Sequence, residues 1–194
     1  IQMLERIEDL RTGEIEGKLS KSIRKIDLIN FFEDFEEELD EIMLVDPETE
    51  ATDHRSRLTI SVPDGTQVKA SGLYLTRILH DMLRNAIMYS IKATPIKIEV
   101  TVKGKEIEIL MEDEGYGIRE KEQERVFDIF KRARQPQIIS EFGYGLSLHI
   151  CRHEVEAMNG KMWFKSTESV GTKFFMILPL WRDEAEESSS SSDT

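Results

Sequence analysis

The apolar positions change period several times along the chain, and the changes mark out elements. Leu58, Ile60 and Val62 alternate with polar residues and run into Pro63-Asp64-Gly65, which predicts a short strand closed by a turn. Leu75, Ile78, Leu79, Met82, Leu83 and Ala86 recur at three- and four-residue spacing, the signature of one helical face. Ile96, Ile98, Val100 and Val102 alternate, Gly104 turns the chain, and Ile107, Ile109 and Met111 alternate again. That is an antiparallel hairpin whose second strand ends at Asp113. Val126, Phe127 and Phe130 predict another short helix, and residues 133–142 a loop. Leu146, Leu148, Ile150 and Val155 predict a helix ending near Asn159-Gly160, a favourable C-cap pair. Two closing strands, about 161–166 and 172–178, are joined through Ser169-Val170-Gly171.

Residues 1–45 read as helical and segmented. Leu4, Ile7 and Leu10 begin a stripe that Thr12 and Gly13 disturb and Ile15, Leu19 and Ile23 resume, which favours a seam between helices. Asp27 is placed to cap a further helix carrying Leu28, Phe32, Phe35, Leu39 and Ile42. That stripe suits either a helix–helix seam or an amphipathic helix laid on the main domain. Pro47, Glu48, Thr49, Glu50 and Asp53 mark a polar boundary, so the organisation reads as 1–45, then a domain over 46–182, then a tail. The Glu- and Ser-rich tail, 183–194, is expected to be disordered. Helices covering one face of a mostly antiparallel sheet would bury these stripes in two layers, an α/β architecture of the α+β sandwich kind.

The chain has 194 residues, 39% of them hydrophobic, enough for one full core with a smaller appendage. A net charge of −12 argues against nucleic acid as a partner. The single cysteine, Cys151, leaves no internal disulfide framework. No signal peptide or membrane-length apolar run is seen, so a cytoplasmic location is expected. The helical pattern at Ile1 reads as continuing upstream, where a membrane anchor could lie.

Three constellations carry candidate chemistry. Asp81 and Asn85, four apart on a helix, share one side, where two oxygen-bearing side chains could hold a hard cation such as magnesium or simply be solvated. Asp113-Glu114-Gly115-Tyr116-Gly117-Ile118 follows a strand directly. Its glycines permit close backbone approach to a flat ligand, and the Asp113 carboxylate could accept from an exocyclic amine; a tight strand-to-helix turn is the plainer reading. Gly143-Tyr144-Gly145-Leu146-Ser147-Leu148-His149-Ile150 opens a helix whose free N–H groups suit an anion, and it matches neither the Walker nor the Rossmann pattern.

Taken in order, DxxxN on a helix, DxGxG after a strand, Arg125-Val126-Phe127-Asp128-Ile129-Phe130-Lys131-Arg132, then GxGL, then Gly171-Thr172 before a closing strand form a five-part pattern. It resembles the N, G1, F, G2 and G3 boxes of the histidine-kinase catalytic domain, within the gyrase–Hsp90–histidine kinase–MutL ATPase superfamily. The resemblance covers about residues 57–180, and residues 1–45 look like that family's preceding segment, the end of a dimerisation helix and a helical lead-in. It implies a Bergerat-type ATP-binding fold with ATP and Mg2+ as ligands. It implies that Asn85 coordinates magnesium, Tyr89 packs beside the adenine, and Asp113 binds the adenine amine between Gly115, Gly117 and Ile118. Phe127 and Phe130 would anchor one end of a lid, and Arg132 would reach the phosphates. Gly143, Gly145 and Leu146 would set a helix N-terminus against them, and Thr172 would support Asp113. The implied partners are a phosphoacceptor histidine helix of the same or a partner subunit and a response-regulator receiver domain, in a full-length homodimer.

Asp81 stands where that family often has Asn and related ATPases a glutamate base, which makes it a metal or catalytic candidate. Met88 replaces a usual Lys or Arg, and Tyr144 and Ser147 replace small residues of the glycine loop. None of His54, His80, His149 and His153 occupies the acceptor position, although His153-Glu154 mimics the acceptor dipeptide. The expected function is therefore the ATP-binding catalytic region of a two-component histidine kinase, a transferase in signal transduction whose acceptor lies outside this sequence. The rival readings are a superfamily ATPase or serine kinase switch, and a nucleotide-binding pseudokinase scaffold.

Overall fold

The computed structural model describes residues 2–42, 54–90, 94–128 and 145–182. A central sheet of five strands has the order β2-β4-β5-β7-β6. Its members are β2 (Leu58–Ser61), β4 (Ile96–Lys103), β5 (Glu106–Asp113), β6 (Lys161–Thr167) and β7 (Gly171–Pro179). The predicted hairpin forms in register, with Ile98 opposite Met111 and Lys103 opposite Glu106, and Gly104 takes φ +63° at the turn. Neighbours pair antiparallel except β2 with β4, which are parallel.

One face of this sheet carries the core. Ile96, Ile98, Val100, Ile107, Ile109, Met111, Met176 and Leu178 are buried under α4 (Gly72–Tyr89) and α6 (Ser147–Ala157). In α4 the predicted stripe from Leu75 to Ala86 is the buried one. In α6, Ile150, Cys151 and Val155 point inward, and the helix closes where Asn159 takes φ +60° and Gly160 N–H returns to the Val155 carbonyl. The opposite face of the sheet bears a parallel stack of Trp163 on Phe175, centroids 5.2 Å apart.

The N-terminal segment departs from a continuous helical reading. Gly13 takes φ +71° and separates α1 (Gln2–Thr12) from α2 (Ile15–Ser22). Residues read as a helical lead-in form instead β1 (Arg24–Asp27), which pairs antiparallel with β3 (Gln67–Ala70), a strand absent from the sequence reading. Four residues leave little periodicity to read, and pairing across the fold decides them. Asp27 does cap α3 (Leu28–Ile42), its Oδ1 accepting from Ile29 and Asn30 N–H at 3.0 and 3.2 Å.

Of the two readings for α3, the structure takes the amphipathic helix on the main body: Leu28, Phe32, Phe35 and Leu39 join the common core. Each such side chain contributes about 1.5–3 kcal/mol by burial. The expected inter-helix seam of residues 1–23 is split, because Ile15 and Leu19 also enter this core while Leu4 stays 72% exposed. A short helix, α5 (Glu120–Gln123), precedes the one expected around Val126–Phe130; Arg125, Val126 and Asp128 continue in i→i−3 turns, and residues 129 and 130 lie outside the described residues. The expected loop 133–142 and the tail 183–194 fall outside the described residues.

Candidate functional site

The site begins at the C-terminal end of β5, where Asp113 is buried opposite Thr172 of β7. Its Oδ1 accepts from Gly115 N–H at 3.0 Å. Burial pushes the Asp113 carboxyl up to about 6, against the opposing pull of backbone N–H groups of Gly115 and Thr172 and the positive Arg57. Arg57 is itself held by the Thr94 carbonyl at 2.7 Å and by Ser90 Oγ. Nothing in its sequence context flags Arg57, since it sits at the end of a 3-10 turn (His54–Arg57) with no motif around it.

The glycines after Asp113 are required by the protein's own backbone. A Cβ on Gly115 would stand 2.2 Å from the Tyr89 carbonyl oxygen, and one on Gly117 would stand 2.0 Å from that of Thr167. Gly117 also takes φ +61°. Of the two expectations for this segment, the tight turn is the one these contacts fit: the close approach is to the end of α4 on one side and the β6–β7 turn on the other. Tyr116 N–H donates to the Tyr89 carbonyl at 2.9 Å, and Ser169 N–H to that of Tyr116 at 2.7 Å. Ser166 is the hub of the second side: its Oγ accepts from Ile118 N–H at 2.8 Å, donates to the Gly171 carbonyl at 3.0 Å and lies 2.9 Å from Thr172 Oγ1. A serine in an alternating strand offers no pattern by which to single it out.

On α4, Asn85 has a buried Nδ2 with no hydrogen-bond partner among the described residues. Such an atom awaits a partner, and flipping the amide puts a carbonyl oxygen there, the donor type magnesium takes alongside waters and phosphates. Asp81, expected beside Asn85 as a metal or catalytic group, is engaged elsewhere. Its Oδ2 accepts from Arg6 Nη1 at 2.7 Å and lies 3.5 Å from Cys151 Sγ. The sequence could not show this because Arg6 is 75 residues away. Among the described residues no group of three His, Cys, Asp or Glu side chains could hold a metal.

Gly145, with φ +66°, and the buried Leu146 lead into α6. Among the described residues no side chain caps that helix, and its first N–H groups have the character of an anion site. Phe127 packs on Phe164, centroids 5.7 Å apart, with the Arg152 guanidinium 5.1 Å over its ring. His149 Nδ1 lies 2.9 Å from the Phe127 carbonyl. Phe130, Arg132 and Gly143 fall outside the described residues. In the His153-Glu154 pair, Glu154 is turned into the core while His153 stays exposed on the surface of α6.

Fold and site together define a two-layer α/β sandwich with a buried carboxylate at the end of β5, followed by glycines packed against the end of α4 and the β6–β7 turn. The chain belongs to the histidine kinase-, DNA gyrase B- and HSP90-like ATPase family, whose model matches residues 70–182, more than half of it. It is 31% identical over 136 residues to the sensor-like histidine kinase SenX3 of Mycolicibacterium smegmatis, covering 70% of this chain and 35% of that protein. It is 32% identical over 109 residues to the adaptive-response sensory kinase SasA of Prochlorococcus marinus, covering 55% of this chain and 28% of that one. The chain thus spans about a third of the length of these relatives. Among solved structures, the mycobacterial sensor histidine kinase MprB matches with a TM-score of 0.64 at 20% identity, over 82% of this chain and 100% of that one. Full-length ShkA in complex with AMPPNP matches with a TM-score of 0.64 at 19% identity, over 84% of this chain and 32% of that one. Among the described residues no helix is long and apolar enough to cross a membrane.

Proposed function

We propose that this chain is the ATP-binding catalytic region of a two-component sensor histidine kinase, which binds Mg-ATP and passes the γ-phosphate to a histidine on a separate helix. The observation that carries the reading is Asp113: a buried carboxylate at a strand end, oriented by Gly115 N–H and walled by glycines that tolerate no side chain. Such a group suits the exocyclic amine of adenine. Asn85 holds the metal through its amide, and Tyr89, Gly117 and Ile118 bound the base. Gly143, Gly145 and Leu146 set the start of α6 against the phosphates, with Arg132 as a further cation. Thr172 keeps Asp113 in place.

Magnesium supplies charge neutralisation at the phosphates when bound. The chain's own residues do the rest by orientation: they fix the base, exclude water from one side of it and present helix-terminal amides to negative charge. A response-regulator receiver domain is the natural consumer of the phosphohistidine, and dimerisation of the full-length protein brings acceptor and donor together. With α1 docked, Arg6 holds Asp81 and keeps it from acting as a water base in that state.

Calorimetry on Asp113→Asn tests the site, with loss of adenine-nucleotide binding expected. Unchanged affinity would refute the pocket. Adding an upstream histidine helix with labelled ATP tests the transfer, and label that never reaches histidine would favour a scaffold.

A further inference from the structure

The described residues of α1 that are buried are Arg6 and Asp9, both charged. This helix is therefore docked through buried charges as well as through Leu10, which packs half-buried against the core. Arg6 Nε and Nη2 donate to Oε1 and Oε2 of Glu154, each at 2.8 Å, while Nη1 donates to Asp81 Oδ2 at 2.7 Å. Glu154 is wholly buried and Arg6 only 6% exposed. A single guanidinium thus serves two carboxylates from α4 and α6, with Cys151 Sγ 3.8 Å from its Nη2. Buried ion groups of this kind add little net stability over apolar packing, yet removing one member is costly. They specify an arrangement, and they come apart as a unit.

Asp81 lies one helical turn before Asn85 on the same side of α4, about 6 Å along the axis. With α1 docked, its Oδ2 belongs to Arg6. With α1 released, that oxygen is a free anion next to the amide that the function proposed above assigns to magnesium.

We propose that Arg6 is a latch: by holding Asp81 it withdraws a carboxylate from the metal position at Asn85, so that docking of α1 and occupancy by metal–nucleotide oppose each other. The inference rests on the reading of Asn85 as the metal position. Because such coupling is reciprocal, whatever docking takes from metal affinity, the metal takes from docking. The helix upstream of the sandwich is thereby tied to the nucleotide site through a charge contact, without touching the nucleotide.

Hydrogen exchange of residues 2–12 in the whole chain reads the latch directly. Three conditions are compared: no ligand, a non-hydrolysable ATP analogue with chelator, and the same analogue with magnesium. Protection is expected to fall several-fold with the magnesium complex and to hold with the metal-free analogue. Asp81→Asn is expected to abolish this magnesium response while calorimetry still detects the analogue. A second variant, Arg6→Met with Glu154→Gln, removes the latch without stranding a buried charge. There the magnesium concentration for half-maximal analogue binding is expected to drop several-fold. If α1 protection is unchanged or rises in a chain that binds the magnesium complex, or if the double variant keeps the wild-type magnesium requirement, Arg6 is a structural clasp only. A chain that binds no adenine nucleotide at all overturns the functional reading itself, and the latch with it.

Discussion

Asp113 and Thr172 face each other across the β5–β7 ladder, and the Thr172 backbone N–H is one of the groups that hold the Asp113 carboxylate in its negative form. Burial works against them and wins, leaving the carboxyl at about 6 where an ordinary aspartate lies at 3.8. The folded chain therefore binds this proton more tightly than the unfolded one. Asp113 contributes stability that is fully present below 3.8 and lost as pH rises through about 6. The displacement is worth about 3 kcal/mol. Urea unfolding of wild type and Asp113→Asn across pH 4 to 7 checks this: the difference between them should change with that sign, and a flat difference would refute it.

The same group sets the pH dependence of binding. An ionised carboxylate is the better acceptor for an amine, so nucleotide affinity should fall as pH drops below about 6, by roughly tenfold per pH unit at the limit. Calorimetry at pH 5 and 7 reads it directly. Equal affinities would mean that Asp113 does not meet the base.

Gly117 is predicted to be the least replaceable glycine of the pocket. Alanine there must hold φ +61° and place its Cβ 2.0 Å from the Thr167 carbonyl, so backbone has to move. We expect a loss of about 3 kcal/mol or more with collapse of nucleotide binding. Gly65→Ala is the control, since Gly65 has φ +67° but open space around it, and should cost only about 1–2 kcal/mol. Chemical denaturation of the two variants separates crowding from strain.

Much of the sandwich was legible because its elements are long and strongly periodic. The stripe of α4, the β4–β5 hairpin and the helix closed by Asn159-Gly160 all lie where periodicity puts them. β1 and β3 were not legible, because each is four residues long and owes its form to the other. The parallel pairing of β2 with β4 follows from chain path, which alternation does not encode. At the site, Asp113 and its glycines stood out by spacing. Arg57, Ser166 and the Arg6–Glu154 pair did not, since each acts on a partner far away in sequence and common residue types carry no signature of that. Asp81 shows the converse: its spacing from Asn85 suggested a shared metal, and a cation from α1 claimed it.

Asn85→Ala should separate metal handling from folding. The buried Nδ2 has no partner among the described residues, so its removal forfeits no hydrogen bond and should shift stability by no more than about 1 kcal/mol. Affinity for the nucleotide in chelator should persist, while the gain on adding magnesium should vanish. A variant that retains the full magnesium gain would place the metal elsewhere.

Ser166→Ala tests whether the second wall of the pocket acts through its hydrogen bonds. The hydroxyl accepts from Ile118 N–H, donates to the Gly171 carbonyl and meets Thr172 Oγ1, joining the end of the DxGxG segment to the start of β7. Alanine leaves that N–H and that carbonyl without their partner, at a cost of about 1–3 kcal/mol. Because Ile118 and Thr172 flank Asp113, the pocket should loosen before the fold does. Nucleotide affinity is expected to fall several-fold, with faster amide exchange at Ile118 and unchanged exchange in the β4–β5 hairpin. Uniformly faster exchange across the sheet would instead mean that Ser166 serves the fold as a whole.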